Sequence, residues 1–377
     1  MIVERPALER RVLASIEAGR IPVVLGACGT GRTSLLLRLE HIIGRDRSQY
    51  LDVAAAATTP ERCLKAVLTA CRISPPSAAE FSAATPRAAF DSLMTFFASN
   101  HADGHPLTFL LDEFLDVRTF ESFPGLRHVQ RELVNGLADS PASFVLTSRF
   151  TARVHRLLRD APPRFEVIHM PAVDADDVQS MARLFESGRR DWVAEVAPAV
   201  GALCAGRATP ITHLLRALAS TSGDPDPVAA LTGLFSPAGS LTARYRESYE
   251  FRLHRARGYG ALKAILGVLA ETEALNLTEI SQHLHRTPGS TKDYLSWLED
   301  VDLVTSRGKR YSYEDPLLRV YVRLYGRPVP PTDDDIVREV GTYAKTRLPS
   351  ARTFAPSGPP VLEPVADGGR SGIIEID

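Results

Sequence analysis

Apolar residues follow two different spacings in the first half of the chain. Helical spacing places Leu8, Val12 and Ile16 on one face, and the short apolar run IPVVLG follows and ends at Gly26. The same alternation of helical stretch and short apolar run continues through YLDV, LTFLLD, SFVLTS and FEVIHMP. Strands that alternate with helices predict a parallel sheet with helices on both faces, whose ligands bind at the carboxyl ends of the strands. We therefore expect an α/β core over residues 1–171, with its site at that edge.

The spacing becomes helical after the last of these strands. Three helical segments predict a helical lid over residues 172–240, which ends in a stretch rich in Gly, Asp and Pro. Three further helices and a hairpin that turns at Gly308 predict a winged helix-turn-helix over residues 241–327. Residues 328–377 are rich in Pro, Gly and Asp, and we expect a flexible tail there that includes at most one further helix.

Composition excludes several classes of protein. The 377 residues carry a formal net charge of -1, and 44% of them are hydrophobic and 24% charged, as in ordinary globular proteins. The four cysteines lack the paired spacing of a zinc site or a disulfide framework, and neither an apolar leader nor a membrane span stands out. We expect a cytoplasmic protein that contacts no membrane and holds no metal through histidine.

The stretch GACGTGRTS fits a phosphate-binding loop with one substitution. A glycine-rich turn between a buried strand and a helix points backbone N–H groups into one concavity, where the helix N-terminus adds partial positive charge. In the pattern G-x-x-x-x-G-K-[ST], Arg32 replaces the lysine, and Thr33 supplies the hydroxyl that binds Mg2+. The predicted nucleotide-binding residues of this stretch are Gly26, Ala27, Cys28, Gly29, Thr30, Gly31, Arg32, Thr33 and Ser34. Alone, the match is equally consistent with a structural connection between strand and helix.

Two later strands end in residues that suit the same site. LTFLLDEF supplies Asp112, which would hold Mg2+, and Glu113, which would orient and deprotonate the attacking water. SFVLTSR ends in Ser148 and Arg149, which would reach the γ-phosphate. Each strand end alone is common in proteins without such a site. Three elements in this order predict a nucleotide site that uses ATP and Mg2+.

The order of these motifs resembles the STAND and AAA+ group of P-loop ATPases, and most of all the archaeal-type ATPase family that joins such a core to a winged helix. The resemblance covers about residues 1–327, and its matching pieces are VERPALERRV, GACGTGRTS, YLDV, LLDEF, VLTSR, GRATPITHLL and YEDPLLRVYVRLY. Glu4 departs from it, because that family usually has glycine there. The resemblance implies that Arg149 is a sensor of the γ-phosphate, that Gly206 and Pro210 form a lid motif beside adenine, and that DPLLR is a signature after the wing.

Arg32 is the main departure within the loop. Arginine keeps the positive charge and can pair with phosphate oxygens through two N–H groups, so nucleotide binding should survive the replacement. Phosphoryl transfer depends on positioning, however, and a displaced cation should slow hydrolysis. With Glu113, Arg149 and Arg32 as the catalytic candidates, we expect a slow ATPase that acts as a molecular switch. The alternative is a non-hydrolysing regulator or scaffold with a degenerate loop.

The predicted winged helix leaves its partner open. In a DNA-reading version, the helix TPGSTKDYLSWLEDV would enter the major groove and the hairpin would contact phosphates. Residues 241–331 hold 14 Lys and Arg against 11 Asp and Glu, so this region is only mildly basic. The candidates for DNA binding are Ser290, Thr291, Lys292, Arg307, Lys309 and Arg310. A protein-docking or autoinhibitory surface is the alternative, and the basic run ARYRESYEFRLHRAR is either a phosphate contact or a solvated helix face.

The oligomeric state is equally open. In some P-loop enzymes an arginine supplied by another chain completes the site. The candidates for such a trans-acting arginine are Arg153, Arg156, Arg159 and Arg164. Plain surface charge is the alternative for all four, so self-association and a partner protein both remain hypotheses.

Overall fold

The computed structural model describes residues 4–70, 81–98, 107–185, 191–221, 224–254 and 258–348. No helix within these ranges has the length and apolar character needed to cross a membrane. In the same part of the chain, no three His, Cys, Asp or Glu side chains group closely enough to hold a metal ion by themselves. The free cysteines there are Cys28, Cys63 and Cys204, whereas Cys71 lies outside the described residues.

A five-stranded parallel sheet forms the centre of the N-terminal half. Its strands are β1 (Ile21–Leu25), β2 (Ser48–Asp52), β3 (Thr108–Asp112), β4 (Ser143–Ser148) and β5 (Phe165–His169), and they lie in the order β2-β3-β4-β1-β5. The register pairs Leu25 with Ser148 and Asp52 with Asp112. The ends of these strands therefore meet at one edge, where the loop after β1 begins, and the predicted α/β class is confirmed.

Helices cover both faces of the sheet because alternate strand residues point to opposite sides. Val24 packs with Leu36 and Ile168 on one face, whereas Phe109 and Phe144 stack with ring centroids 5.6 Å apart on the other. Each such buried side chain contributes about 1.5–3 kcal/mol of transfer free energy. The helices are α1 (Pro6–Glu17), α2 (Arg32–Ile43), α3 (Val53–Ala56), α4 (Pro60–Ala70), α5 (Pro86–Ala98), α6 (Val129–Asp139) and α7 (Thr151–Leu158), with a 3-10 helix at Phe114–Ser122.

Helices alone follow β5 in the region predicted as the lid. They are α8 (Ala175–Arg183), α9 (Trp192–Leu203), α10 (Ala208–Ala219) and α11 (Pro227–Leu234). Asp174 begins α8 by accepting a hydrogen bond from the Asp177 N–H at 2.8 Å, as the acidic start of this segment predicts. Trp192 and Leu214 are buried and join the same apolar core as the second face of the sheet.

The helix α12 (Ser240–His254) leads to a unit of helices and a small antiparallel sheet, which we call the hairpin unit. It consists of α13 (Tyr259–Glu271), β6 (Leu275–Asn276), α14 (Leu277–His283), α15 (Pro288–Asp300), β7 (Val304–Arg307) and β8 (Arg310–Tyr313), with strand order β6-β8-β7. Gly308 and Lys309 have φ values of 58° and 64°, the left-handed pair that a two-residue hairpin turn needs. The three helices and the hairpin follow the order predicted from the sequence, whereas β6 was not predicted.

The first part of the predicted tail contains the one further helix that the sequence allowed for there. After α16 (Pro316–Tyr325), residues Asp333–Arg347 form a further helix, α17. The acidic stretch that reads as loop in the sequence is its first turn, which the Thr332 side chain caps and where negative charge is favourable. Val340 is buried, and the Tyr343 hydroxyl donates to the Leu203 carbonyl at 2.7 Å. The rest of the predicted tail, residues 349–377, lies outside the described residues.

Candidate functional site

The loop between β1 and α2 has a backbone suited to cradling phosphate. Gly29 and Gly31 adopt φ values of 83° and 98°, and α2 begins at Arg32. The Thr30 hydroxyl donates to the Ala27 carbonyl at 2.8 Å and closes the loop on itself. Because the first N–H groups of a helix point along its axis, the start of α2 directs them at the concavity of the loop, where they favour an anion.

Asp112, at the end of β3, is buried and accepts hydrogen bonds from three hydroxyl groups. Thr33 donates at 2.6 Å and Tyr50 at 3.1 Å, and Thr147 donates to the other carboxylate oxygen. Burial first, and then the Asp112 carboxylate, raises the pKa of Tyr50, so its phenol stays a donor. The Thr33 and Asp112 oxygens lie side by side below the loop. They fit Mg2+, which takes one or two carboxylates together with phosphate and water oxygens.

Glu113 lies beside Asp112 and forms a buried ion pair with the loop arginine. Its backbone turns out of the strand with φ 54°, and its N–H donates to the Thr147 hydroxyl at 3.1 Å. Arg32 Nη2 donates to Glu113 Oε1 at 2.5 Å, while Arg32 Nη1 donates to the Ala27 carbonyl at 2.8 Å. The predicted phosphate-binding cation thus neutralises the predicted base. Each residue is predictable from the sequence, whereas their pairing is not.

The end of β4 completes this cluster. The Arg149 N–H donates to Glu113 Oε2 at 3.2 Å, and its guanidinium donates to Asp116 Oδ2 at 3.1 Å. Arg149 therefore lies beside Glu113 at the end of β4, and its role as a sensor of the γ-phosphate stays a prediction. Ser148 differs, because it is fully buried and its hydroxyl accepts a hydrogen bond from the Phe150 N–H at 3.1 Å. Ser148 shapes the turn into α7 and is not brought to the surface of the loop.

The region predicted as the lid contacts the loop at the start of α10. The Thr209 N–H donates to the Gly29 carbonyl at 3.1 Å, and Pro210 is buried one residue later. Gly206 has φ 65°, and a Cβ there would lie 2.8 Å from the Cβ of Ala172. Both the conformation and the close approach require glycine. The two ends of the Gly-x-x-x-Pro element thus lie in different surroundings. Gly206 packs against the chain that follows β5, and Pro210 lies next to the contact with the loop.

Arg207 joins the loop to the chain just before α16. Its guanidinium donates to the Cys28 carbonyl at 3.4 Å and to the Glu314 carbonyl at 2.5 Å, and it lies 3.6 Å from Asp315 Oδ1. Tyr245 donates to the other oxygen of Asp315 at 3.2 Å. The DPLLR segment therefore has a physical link to the loop. The sequence contains both partners but does not show that they meet.

Three cavities adjoin the loop. One, of about 810 Å³, is lined by Gly26, Ala27 and Thr30 together with Asp302 and Arg307 of the hairpin unit. The two smaller cavities differ in position. One, of about 280 Å³, lies beside Gly31 and is lined by Arg5 and Ala208. Arg5 donates to two carbonyls that follow β5, both at 2.9 Å, and so holds the N-terminal segment at this cavity. The other, of about 170 Å³, lies beside Cys28 and Arg149.

The six candidates for DNA binding differ in exposure. Thr291 is fully buried and donates to the Thr287 carbonyl at 3.0 Å, so it faces the interior of the hairpin unit and is not available to a base edge. Arg310 donates to the Ala274 carbonyl at 2.7 Å while remaining exposed. The exposed candidates are Lys292, Arg307, Lys309 and Arg310, and Ser290 is half-buried.

The far end of α15 packs against the core through ion pairs. Asp300 accepts a hydrogen bond from Arg156 at 2.6 Å and lies 3.6 Å from Arg153. Arg164 donates to several backbone carbonyls, whereas Arg159 is exposed. Three of the four arginines considered for a trans-acting role thus have partners within the described part of their own chain.

Comparison with known proteins identifies the fold. No family model and no curated protein matches the sequence. A Walker-type ATPase of Pyrococcus abyssi has a similar structure, with a TM-score of 0.65 and 18% identity over 85% of this chain and 96% of that chain. The Orc1 protein of Aeropyrum pernix in complex with DNA (TM-score 0.46, 16% identity, 92% and 95% of the two chains) and a RuvB variant of Thermotoga maritima (0.42, 9%, 87% and 96%) are more distant. The chain therefore has the fold of this Walker-type ATPase, and the fold that the sequence resemblance implies is confirmed.

Proposed function

We propose that this protein is an ATP-dependent molecular switch of the cytoplasm, which binds ATP with Mg2+ at the loop, hydrolyses it slowly and couples the nucleotide to the hairpin unit. One observation carries the proposal. The Thr33 hydroxyl, 2.6 Å from the Asp112 carboxylate, lies below a glycine loop with Glu113 beside it. This set of groups supplies what phosphoryl transfer requires: a phosphate cradle, metal ligands and a base.

The side chains of the cluster have separate roles in hydrolysis. When Mg2+ is bound by Thr33 and Asp112, it neutralises charge on the phosphate oxygens. Glu113 accepts a proton from the attacking water as the water oxygen bonds to the γ-phosphorus and the bond to the β–γ bridging oxygen breaks. Arg149, which contacts Glu113 through its N–H, binds an oxygen of the γ-phosphate. The products are ADP and inorganic phosphate.

The pairing of Arg32 with Glu113 supports slow turnover. The two side chains are 2.5 Å apart and about nine-tenths buried. Glu113 has to lose this partner before it can take a proton, and removing one partner from a buried pair typically costs about 3–5 kcal/mol. Phosphate oxygens that replace Glu113 as the partner of Arg32 would offset part of that cost. If the ion pair between Arg32 and Glu113 never opens, the alternative hypothesis applies, and the protein is a non-hydrolysing regulator or scaffold.

The substitution Thr33→Ala tests nucleotide binding. Thr33 is exposed, so its loss should leave the fold intact while removing one metal ligand. We expect the Kd for ATP in the presence of Mg2+ to rise at least about tenfold, with little change in its absence. Isothermal titration calorimetry measures both, and Thr342→Ala, at an exposed position on α17, is the matched control. A wild-type protein without measurable affinity for ATP would contradict the proposal.

The substitution Arg32→Lys tests the explanation for slow turnover. Lysine is a compact charge that cannot pair with Glu113 and the Ala27 carbonyl through a planar fork. We expect steady-state phosphate release to increase by about tenfold or more, and Glu113→Gln to reduce it to background. Equal background rates for wild type, Arg32→Lys and Glu113→Gln would instead favour the non-hydrolysing regulator.

The coupling to the hairpin unit rests on Arg207, which contacts the loop and the chain that leads from β8 to α16. The exposed cations of the hairpin, with Lys292 near the start of α15, suit the phosphates of duplex DNA. We therefore propose DNA as the partner. A protein partner or a second copy of the chain is the alternative.

A further inference from the structure

Helix α12 turns one polar stripe toward the loop. The stripe recurs at three- and four-residue spacing, which places its members on one helix face. Its polar members are Arg244, Glu247, Ser248 and Arg252, and the apolar Phe251 lies among them. The other faces are anchored in the apolar core through Leu241, Tyr245, Tyr249 and Leu253. Because those anchors fix the rotation of the helix, the stripe is fixed in front of the loop.

The stripe and the loop together enclose the cavity of about 170 Å³ beside Cys28 and Arg149. Three arginines and one carboxylate, that of Glu247, line it, so the balance of charge favours an anion. Arg252 is the most buried of the stripe's charged residues, at 8% exposure, and its Nη1 donates to the Asp302 carbonyl at 2.9 Å. One nitrogen of its guanidinium is thus held by the Asp302 carbonyl, while the side chain still lines the cavity.

Cys28 responds to the positive field in this cavity. Burial works to raise the pKa of its thiol, but the guanidinium groups of Arg252, Arg244 and Arg32 hold that pKa below its ordinary value. Arg252 also serves as a hydrogen-bond partner of the thiol. A thiolate is an anion at the middle of the loop, so groups that favour it favour other anions at the same place.

The cavity lies on the side of the loop where a terminal phosphate belongs. The cavity of about 280 Å³ adjoins Gly31 and Ala208, next to the lid motif. The cavity at the stripe instead includes Arg149, whose N–H contacts Glu113, the proposed base for attack on the γ-phosphate. A nucleotide with its base on the lid side therefore extends its last phosphate toward Cys28 and the stripe.

We propose that Arg252, assisted by Arg244, binds the terminal phosphate of ATP from within the same chain and so makes the site prefer ATP over ADP. This inference rests on the proposed function and adds a specificity-determining element to it. Arg252 also donates to the carbonyl of Asp302, two residues before β7. Loss of the terminal phosphate would therefore change a contact between α12 and the hairpin unit. The helix α12 is then the part of the switch that reads the nucleotide.

The test compares two nucleotides on a set of single substitutions. ADP and a non-hydrolysable ATP analogue, each with Mg2+, are titrated calorimetrically into wild type, Arg252→Ala, Arg252→Lys and Arg244→Ala. The matched control is Arg246→Ala, an exposed arginine of the same helix that hydrogen-bonds Tyr321 instead of lining the cavity. Thermal unfolding of each variant shows whether the fold is kept. Because Arg244 is exposed, we expect Arg244→Ala to fold like wild type.

We expect Arg252→Ala to raise the Kd of the ATP analogue by about tenfold or more and to leave that of ADP within about twofold. Arg252→Lys should lie between this variant and wild type, Arg244→Ala should show a smaller change in the same direction, and Arg246→Ala should match wild type. An equal loss for both nucleotides, or no loss for either, would show that Arg252 only tethers Asp302 and would overturn the inference. A wild type that binds ATP and ADP equally would overturn it while leaving the proposed nucleotide site standing, whereas binding of neither would remove both.

Discussion

Charged side chains cluster at two places in this molecule, and the two clusters are built in opposite ways. At the loop end of the sheet, Arg32, Asp112 and Glu113 are each less than a tenth exposed and have partners at fixed distances. At the tip of the hairpin, Arg307 and Lys309 are exposed to solvent. The first cluster is a network of paired charges within one chain, although the buried Arg32 Nε has no hydrogen-bond partner within the described part of that chain. The second is a set of charges open to a partner.

Burial determines how much each cluster of charges affects the free energy of unfolding. Taking a charge out of water is costly, so the buried cluster is stable only while every member keeps its partner. Exposed charges are screened by solvent, and pairs of them contribute at most about 1 kcal/mol. Substitutions in the buried cluster should therefore change stability and function together, whereas those at the hairpin tip should change only the affinity for a partner.

The largest expected effect comes from breaking the buried pair on one side. Arg32→Ala leaves the Glu113 carboxylate buried, with the guanidinium of Arg149 3.7 Å away as its remaining cation. We expect the free energy of unfolding to fall by about 3–5 kcal/mol. Urea denaturation measures it, and Arg338→Ala, which breaks an exposed ion pair on α17, should change it by no more than about 0.5 kcal/mol. Similar losses in the two variants would show that the two kinds of cluster do not differ.

A second substitution separates charge from packing in that result. If Arg32→Ala destabilises the protein because Glu113 is left uncompensated, then adding Glu113→Ala should restore part of the lost stability. If the loss instead comes from the missing bulk of the arginine, the double variant should be less stable than either single one. The same urea titrations decide between these outcomes.

Local patterns were enough to predict the sheet, the loop and the strand ends. Strand and helix periodicities are properties of short segments, and parallel pairing then requires the ends of β1, β3 and β4 to meet. Asp112, Glu113 and Arg149 could therefore be assigned to one site without coordinates. The resemblance added the lid motif at Gly206 and Pro210, whose contacts with the core are consistent with that assignment.

Features that depend on side-chain direction could not be predicted in this way. Arg32 was expected to face phosphate, but the direction of a long side chain is set by neighbours remote in sequence, such as Glu113. Thr291 was chosen for its place near the start of α15, yet the rotation of that helix turns it inward. One further helix was allowed for after residue 327, but the bounds of α17 were not predicted, because its acidic first turn has the composition of a loop.

Asp302 lies in the chain between α15 and β7, and its titration should change the free energy of unfolding by an intermediate amount. Burial raises the pKa of its carboxyl to about 7, against the opposing charges of Arg252 and Arg32. The folded state thus binds the proton more tightly than the unfolded state, whose pKa is about 3.9. The stability that this group contributes is full below about pH 4 and is lost as the pH rises to about 7, with a slope of at most about 1.4 kcal/mol per pH unit.

The substitution Asp302→Asn should remove this slope and make the protein more stable than wild type at pH 8. Asparagine tolerates the φ of 52° found at this position, so the change isolates the charge. Urea denaturation across pH 4.5 to 8 gives the comparison, with the exposed Asp333→Asn as the control that keeps the slope. Parallel curves for wild type and Asp302→Asn would contradict the assignment.

The smallest effect on stability is expected at the hairpin tip, where the effect on a partner should be largest. Alanine at Arg307, Lys309 and Arg310 together should change the free energy of unfolding by only about 0.5 kcal/mol, because all three are exposed. If the hairpin binds duplex DNA, its affinity should fall, and the dependence of log K on log salt should become shallower by about 0.9 for each phosphate that the variant no longer neutralises. Fluorescence anisotropy at several salt concentrations measures both, with Lys345→Ala on α17 as control. Unchanged affinity and an unchanged slope would contradict DNA binding by the hairpin tip. The exposed cations would then favour a protein as the partner.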